Sequence, residues 1–488
     1  MSELAAVAGV VTTVGGQEQG TITGAFPLTP VQARFFEIKQ PDLHHYNQAM
    51  LLEVHGAVDA RLFAEATKGL LQQHDALRSR FRLHSDSWQS VIAPPDEVVP
   101  FQFVELDETE QALMDHAARL HTTLNLQDGP LMRVALFDRG PELNSYLLIV
   151  IHHLVVDGVS WRILLEDFQT LYQQLSNGEK PSLPAKTTSF KTWAERLAEH
   201  AQSDALRDEL AYWLASGKNS AARLPLDEAG GANTVAQART LSVSLDAVET
   251  RALLQEVPVR YRTQINEVLL TALVRAFAQW TTSPSLLVDL EGHGREEIVD
   301  DVNLSRTIGW FTTIFPVMLD CGTAQSSVEA LPLVKEQLRA IPNRGIGYGL
   351  LRYASGDDKV AEMLQSLPQA EVRFNYLGQV DRVLLDSSMF SFTSQSSGPA
   401  QSATAPRSYL INIIGVVSGG ELRLDWTFSE SIHREETITR LAHSFVAELR
   451  NLIAEFRTND NVAYSPSDFP SAQVSQEELN KVLAKLRG

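Results

Sequence analysis

The sequence predicts a mixed α/β protein that is divided into two lobes. At 488 residues, the chain is too long for a single hydrophobic core of ordinary size. Each half combines short apolar runs, which are typical of buried strands, with segments whose apolar residues recur at helical spacing. Between the halves, residues 200–235 are polar and become rich in alanine, glycine and asparagine, which indicates a boundary between two compact units.

Composition argues against several classes of function. Hydrophobic residues make up 44% of the chain and charged residues 21%, as expected for a globular protein. The formal net charge of −19 argues against a nucleic acid as partner, because phosphate binding requires a basic face. The single cysteine, Cys321, excludes a disulfide within the chain, which fits a cytoplasmic location, and its apolar setting is typical of a buried hydrophobe. No run approaches the ~18 apolar residues of a membrane helix, so no membrane association is predicted.

The predicted elements of the first half place two histidines at the end of a strand. Residues 27–36 open with the string PLTP and predict a helix. Residues 145–151 (SYLLIVI) are mostly apolar and predict a buried strand. Apolar side chains recur at helical spacing over residues 161–175, so a helix follows at once. Residues 152–158 therefore form a strand-to-helix loop, which is a common place for catalytic groups.

The second half has the same kinds of element. Residues 265–280 carry apolar side chains on one helical face, and residues 285–290 predict a buried strand that delivers Glu291. Residues 409–428 predict a pair of strands around a Gly-Gly turn. Residues 438–456 predict a long amphipathic helix. Each lobe thus contains a strand that ends in acid/base residues.

The string HHLVVDGVSW at residues 152–161 is the first candidate for chemistry. Adjacent strand residues point to opposite faces, so one of His152 and His153 faces the core and the other faces a cleft. A histidine held rigidly near a strand end titrates near neutrality and suits proton transfer. Asp157 before Gly158 suits a tight turn and an N-cap. Because the two histidines diverge, the string does not predict a metal site, and it lacks the glycines of a serine nucleophile elbow.

Further strings stand elsewhere in the chain: PLTPVQ at 27–32, EGHGRE at 291–296, SRTIGWFT at 305–312 and FNYLGQ at 374–379. Read singly, each has a structural interpretation. The charged residues 295–297 suit a solvated face, and the aromatic pair at 310–311 suits a core. Together with the histidine string, however, these strings form an ordered set.

This ordered set resembles the condensation-domain superfamily of nonribosomal peptide synthetases, and within it the epimerization domains. The resemblance implies two chloramphenicol-acetyltransferase-like lobes in a V-shaped pseudo-dimer, with the active site in a channel between them. The bounds expected from it are a linker after a carrier domain at 1–22, an N-terminal lobe at 23–205, a C-terminal lobe at 206–458, and a linker toward a downstream domain at 459–488. The chain is accordingly expected to be a piece of a multidomain enzyme.

The resemblance also implies roles for individual residues. It makes His153 the general acid/base and Asp157 a structural residue that pairs with an arginine. Inversion of an α-carbon requires a proton to leave one face and return to the other, so a second carrier is needed, and we assign it to the carboxylate of Glu291. Supporting roles are expected for His152, Asp157, Gly158, His293, Arg306, Asn375 and Tyr376.

Some of these supporting roles remain open between alternatives. Asn375 and Tyr376 are candidates to donate hydrogen bonds to an enolate oxygen. Arg306 either pairs with Asp157 or steadies the site, and His293 either orients Glu291 or fills its loop.

The implied substrate is an aminoacyl or peptidyl thioester on the 4'-phosphopantetheine of an upstream peptidyl carrier domain, with no cofactor within the chain. A downstream condensation domain is the other expected partner, and the excised domain is expected to be monomeric. Three alternatives have different chemistry. A condensation domain would form an amide bond, although the EGHGRE string argues against it. A docking module would bind carriers without catalysis, and a free-standing acetyltransferase would use coenzyme A.

Overall fold

A computed structural model of the protein describes residues 18–56, 58–106, 110–216, 222–379, 389–458, 465–469, 478, 479, 481 and 482. The strands of this part of the chain form sheets of three, five and six strands, with helices packed against them. The predicted mixed α/β class is therefore confirmed.

The helices and strands of the first half follow the sequence pattern closely. In chain order they are β1 (Gly24–Phe26), α1 (Pro30–Glu37), β2 (Asn47–Val54), α2 (Ala60–Gln73), β3 (Ser79–His84), β4 (Ser87–Ile92), β5 (Phe101–Glu105), α3 (Glu110–His121), β6 (Met132–Asp138), β7 (Ser145–His152), α4 (Gly158–Ser176), α5 (Phe190–His200), α6 (Asp204–Asp208) and α7 (Leu210–Ser216). Every residue of β7 is buried, as its apolar sequence predicts. One 3-10 turn separates β7 from α4.

The elements of the second half are β8 (Ala238–Leu245), α8 (Ala247–Arg251), α9 (Val257–Tyr261), α10 (Ile265–Thr281), β9 (Ser285–Gly292), β10 (Thr313–Asp320), α11 (Ser327–Arg339), α12 (Ile346–Tyr353), α13 (Asp358–Gln365), β11 (Val372–Gln379), β12 (Phe390–Phe392), β13 (Ile411–Ser418), β14 (Glu421–Ser429) and α14 (Glu435–Thr458). The strand predicted to end at residue 290 extends to Gly292, because its last residues pair with the start of β10. Glu291 therefore lies within the strand.

The five-stranded sheet has the order β12-β2-β7-β6-β5, with β7 at its centre. Helices α2 and α4 pack together beside this sheet. All of its strands come from the first half except β12, which pairs with β2 in an antiparallel manner. The second half of the chain thus supplies a strand to the first lobe, and the division between lobes is not a single point in the sequence.

The six-stranded sheet has the order β10-β9-β11-β13-β14-β8. β9 and β11 are parallel neighbours, and Phe374 is level with Leu290. Because parallel strands end at the same edge of a sheet, the following residues Glu291 and Asn375 come out side by side. Helices α10, α11 and α14 pack together against this sheet, where Cys321 is also buried as expected.

A short stretch near the C-terminus is anchored on the second lobe. The carboxylate of Asp468 lies 2.7 Å from the ammonium of Lys335 and 3.3 Å from the guanidinium of Arg339. Part of the segment expected to be a linker at 459–488 therefore packs on the lobe. None of the described helices combines the length and hydropathy that crossing a membrane requires.

Candidate active site

His153 lies directly after β7, between aromatic rings from both halves of the chain. The ring of Tyr46 stacks on it at a centroid distance of 5.5 Å and an interplanar angle of 12°. The indole of Trp310 approaches from the second half, with a centroid distance of 4.3 Å. Burial lowers the pKa of His153, and a hydrogen bond to the carbonyl of Val156 and the charge of Glu291 oppose that shift. The imidazole is thus held at the junction of the lobes and favours its neutral form.

His152 faces the other way, as strand alternation predicts. Its Nε2 donates to the carbonyl of Leu43 at 2.9 Å, and its Nδ1 accepts from the amide of Leu154 at 3.2 Å. Burial lowers its pKa to about 3. Both ring nitrogens are therefore used inside the core, and His152 serves as a structural residue.

Glu291 projects from the end of β9 with its side chain 14% exposed. One carboxylate oxygen lies 3.0 Å from a guanidinium nitrogen of Arg373, and the other accepts a hydrogen bond from the amide of Asn375. Asn375, a predicted donor to an enolate oxygen, is thus committed to the carboxylate in this structure. Burial lowers the pKa of Arg373, but Glu291 and Tyr409 raise it more. Glu291 is therefore held in a fixed orientation beside a positive charge.

A row of charged groups continues from Glu291 along the same face of the sheet. Asp289 lies two residues earlier on β9, accepts from the hydroxyl of Tyr409 at 2.7 Å, and pairs with Arg34 at 3.3 Å. Burial raises the pKa of Asp289 despite these partners. A cavity of about 200 Å³ lies beside this group, and Arg352 also lines it. Sequence reasoning missed these residues because they come from separate segments with no common spacing.

Asp157 joins the two halves of the chain through a buried ion pair. Its two oxygens lie 2.7 and 3.2 Å from the guanidinium of Arg295, whose side chain is 2% exposed. It also caps α4 by accepting from the amide of Ser160 at 2.8 Å, and it accepts from the amide of Phe311 at 3.1 Å. The guanidinium of Arg295 stacks on the ring of Phe311 at 3.9 Å. The structural role expected for Asp157 thus has a partner, Arg295.

Arg306 does not take that place. It pairs with Asp167 and Glu166 on α4, with the Glu166 contact at 3.2 Å. The alternative that residues 295–297 form a solvated face does not hold for Arg295, whose side chain is 2% exposed. The prediction that Arg306 could pair with Asp157 is therefore wrong, because Arg295, carried by the loop after β9, occupies that position.

His293 contacts residues of its own loop, and Tyr376 packs against β13. The Nδ1 of His293 accepts from the amide of Arg295 at 3.0 Å, and its Nε2 lies 3.4 Å from Glu296. These contacts favour the interpretation that His293 shapes its own loop. The ring of Tyr376 lies over Gly415, where a Cβ atom would come within 3.2 Å of it. Burial raises the pKa of Tyr376 to about 12, so its hydroxyl stays protonated and its predicted role as a hydrogen-bond donor to an enolate oxygen stays a prediction.

Gly294 allows the loop that carries Arg295 to turn next to Phe311, and its replacement is expected to destabilise the protein. It has a φ of +69°, and a Cβ there would lie 1.6 Å from the carbonyl oxygen of Phe311. Gly294→Ala is expected to lower the free energy of unfolding by about 1–3 kcal/mol, because backbone strain and a clash with main chain coincide. Urea denaturation measures this. Gly158→Ala is the matched control, since a Cβ at Gly158 meets nothing within 4 Å and α4 starts there. Equal unfolding midpoints for the two variants would contradict the argument.

Known proteins of similar sequence indicate the family to which the chain belongs. The family model described as Condensation domain matches residues 22–473. A linear gramicidin synthase polypeptide of Brevibacillus parabrevis is 44% identical over 499 aligned residues, which cover 100% of this chain and 6% of that protein. Chondramide synthase cmdD of Chondromyces crocatus is 43% identical over 479 residues, which cover 96% of this chain and 12% of that protein. The chain therefore spans only a small part of the length of these relatives.

Two solved structures extend the comparison. The epimerization domain from the third module of tyrocidine synthetase B superposes with a TM-score of 0.85 at 35% identity, over 92% of this chain and 100% of that one. The SgcC5 protein of Streptomyces globisporus superposes with a TM-score of 0.67 at 15% identity, over 88% of this chain and 99% of that one. The second likeness concerns the fold alone.

Proposed function

The chain belongs to the condensation-domain family, with its chloramphenicol-acetyltransferase-like fold, and from this premise we propose that it is an epimerization domain of a nonribosomal peptide synthetase. In this function it inverts the α-carbon of an aminoacyl or peptidyl group held as a thioester on a carrier domain. One observation carries the proposal: an imidazole, His153 directly after β7, and a carboxylate, Glu291 at the end of β9, come from inner strands of the two lobes, and Glu291 acts electrostatically on His153.

The reaction needs two proton carriers on opposite sides of a flat intermediate. A base on one face takes the α-proton, and the electron pair of the C–H bond moves into the thioester carbonyl to give an enolate. A proton from the opposite face then reforms the C–H bond with inverted configuration. His153 and Glu291 come from different lobes, so a substrate between the lobes would present one face to each. Each positioned acid or base typically contributes ~10²- to 10⁴-fold in rate.

The arrangement around each carrier suits this role. The pKa of His153 is lowered by burial, which keeps the imidazole neutral and able to accept a proton near pH 7. Glu291 is oriented by Arg373 and Asn375 rather than left free to rotate. Arg373 lies 3.0 Å from Glu291, and its positive charge would favour any negative charge that develops next to that carboxylate.

The proposal extends to the partners of the reaction. The relatives are long synthase polypeptides of which this chain matches 6–12%. We infer that the chain acts within such a polypeptide, between an upstream peptidyl carrier domain and a downstream condensation domain. Residues 1–22 and 459–488 would be the connections to them. The substrate then arrives on the phosphopantetheine arm of the carrier and enters between the lobes, and the chain itself needs no cofactor.

Incorporation of solvent deuterium at the α-carbon tests the proposed function. A carrier domain is loaded with an L- or D-aminoacyl thioester in D₂O, and the released amino acid is analysed by mass and by chiral chromatography. The wild-type protein is expected to give deuterium and inversion from both enantiomers.

The same assay discriminates the competing functions. A condensation domain, which the family model alone also fits, would give an amide product when two loaded carriers are supplied, without exchange at the α-carbon. Absence of exchange over a broad amino-acid panel on a functional carrier would exclude the epimerase, and absence of both products would indicate a docking module.

A further inference from the structure

The two ring nitrogens of His153 have different partners. Nδ1 lies 2.9 Å from the carbonyl oxygen of Val156, at the end of the 3-10 turn that follows β7. Nε2 lies 3.1 Å from the side-chain nitrogen of Gln48 on β2. The oxygen of that same Gln48 amide lies 2.7 Å from the indole nitrogen of Trp161 on α4.

The donor and acceptor roles in this chain of contacts follow from chemistry. An indole nitrogen only donates, so the end of Gln48 that faces Trp161 is the amide oxygen. The other end is therefore the NH₂ group, and it points at Nε2 of His153. A carbonyl oxygen only accepts, so Nδ1 of His153 carries the hydrogen that Val156 receives. Nε2 is then the nitrogen with the lone pair, and it accepts from Gln48.

We propose that Gln48, held in one orientation by Trp161, is a positioning residue that fixes the Nδ1–H tautomer of His153 and makes Nε2 the nitrogen that takes the substrate proton. The inference rests on His153 as a base of the proposed reaction. Val156 acts on Nδ1 of His153 directly, and Trp161 acts on Nε2 through Gln48. Both contacts are needed for a single tautomer. Gln48 contacts Nε2 of His153, but neither Gln48 nor Trp161 gives a proton to the substrate or takes one from it.

The same contact disfavours the protonated imidazole. When Nε2 takes a proton from the α-carbon, it becomes an N–H donor that faces the N–H of Gln48, and two donors repel. Gln48 must then give way, and return of the proton restores its hydrogen bond. The titratable groups around His153 include Tyr46 before β2, His152 on β7, Asp157 at the start of α4 and Glu291 on β9. Burial lowers the pKa of His153 and the charges of Glu291 and Asp157 raise it, while the N–H of Gln48 disfavours a proton on Nε2.

Replacement of Gln48 by glutamate tests the proposal, because a carboxylate accepts from a protonated Nε2 where the amide donates. The chain has 13 histidines, so His153 is followed by NMR in protein with isotope-labelled histidine and assigned by its loss in His153→Ala. In Gln48→Glu the titration midpoint of His153 is expected to rise by at least ~1 pH unit, a tenfold change in proton affinity. Trp161→Phe and Gln48→Met are expected to raise it by less, since each only removes the ordered donor. The acid limb of the exchange rate is expected to move by the same amount.

Gln102→Glu is the matched control, since Gln102 is exposed on β5 of the same sheet and the charge change is identical. It is expected to leave the midpoint unchanged. A midpoint in Gln48→Glu equal to that of the wild type, or nitrogen shifts that place the wild-type hydrogen on Nε2, would overturn the proposal. The NMR readouts need no turnover, so they stand apart from the exchange assay, whose failure in the wild type would count against the proposed function instead.

Discussion

Glu291→Gln is expected to reduce inversion of a carrier-bound amino acid by about 10²- to 10⁴-fold, and His153→Ala by a similar factor. Glutamine keeps the size of Glu291 and its ability to accept from Asn375, but it cannot carry a proton between the enolate and solvent. Alanine at 153 removes the imidazole while the aromatic walls formed by Tyr46 and Trp310 remain. Inversion needs both proton-transfer groups, His153 and Glu291, so loss of either one should stop it.

Exchange without inversion gives a sharper result than inversion alone. If each of the two proton-transfer residues serves one face of the α-carbon, a variant that keeps one of them still exchanges the α-proton of one enantiomer with solvent deuterium. His153→Ala and Glu291→Gln are then expected to retain slow exchange from opposite enantiomers. Mass analysis of the amino acid recovered from L- and D-loaded carriers measures this directly, and it assigns each residue to a face.

Two variants at exposed positions away from the site serve as controls for this prediction. His84→Ala removes an exposed histidine at the end of β3, and Glu421→Gln neutralises an exposed carboxylate on β14 of the sheet that holds Glu291. Both are expected to retain wild-type exchange. Full inversion by Glu291→Gln would remove Glu291 from the proposed mechanism, and loss of exchange in the exposed controls would mean that the assay reports damage to folding.

The parts of the fold that follow from local sequence could be predicted. The run of apolar residues before His152 indicated β7 because a strand buried on both faces needs no polar alternation. Asp157 indicated the start of α4 because its side chain satisfies an amide that a helix start leaves free. Different surroundings for His152 and His153 were expected from strand alternation, although His153 is the first residue of the 3-10 turn after β7. Each of these inferences depends on residues within a few positions of one another.

The parts that depend on distant segments could not be predicted. β12 has three residues, which is too short for any periodicity, and its partner β2 lies in the other half of the chain. Arg373 and Gln48 belong to strands whose neighbours are known only once the sheets are assembled. Their side chains reach Glu291 and His153 across strands, so no spacing in the sequence marks them. The choice of Arg295 over Arg306 as partner of Asp157 likewise depends on the loop that turns at Gly294.

Asp157→Asn is expected to lower the free energy of unfolding by about 3–5 kcal/mol, because it leaves Arg295 buried without a counter-charge. Arg295→Met is expected to cost a similar amount by stranding Asp157. The pair also holds Phe311 and the neighbouring Trp310 against the first lobe, so both variants should lose exchange activity as well as stability. Urea denaturation at neutral pH gives the stability of each variant.

A double variant separates the ion pair from other contacts of the two residues. Asp157→Asn combined with Arg295→Met strands no charge, and its cost is expected to be well below the sum of the two single costs. Glu430→Gln is the matched control, because the pair of Glu430 with Arg239 has a similar distance of 2.7 Å but side chains 45% and 55% exposed. It is expected to leave the unfolding midpoint unchanged, since exposed pairs contribute little. Strictly additive costs of the two single changes would show that the residues do not act as a pair.

The difference in stability between the wild type and Asp157→Asn is expected to decrease at acidic pH. Burial alone would raise the pKa of Asp157, but Arg295 and the hydrogen bonds from Ser160 lower it below its usual value. A carboxylate whose pKa is lower in the folded state stabilises that state fully above the unfolded value of ~3.9, and it loses this contribution as the pH falls through the folded value. The stability difference between the wild type and Asp157→Asn is therefore expected to be constant from pH 8 to about pH 5 and to narrow below about pH 4. A difference that grows on acidification would mean that Asp157 is stabilised in its protonated form, and the ion pair would then not be what joins the two lobes.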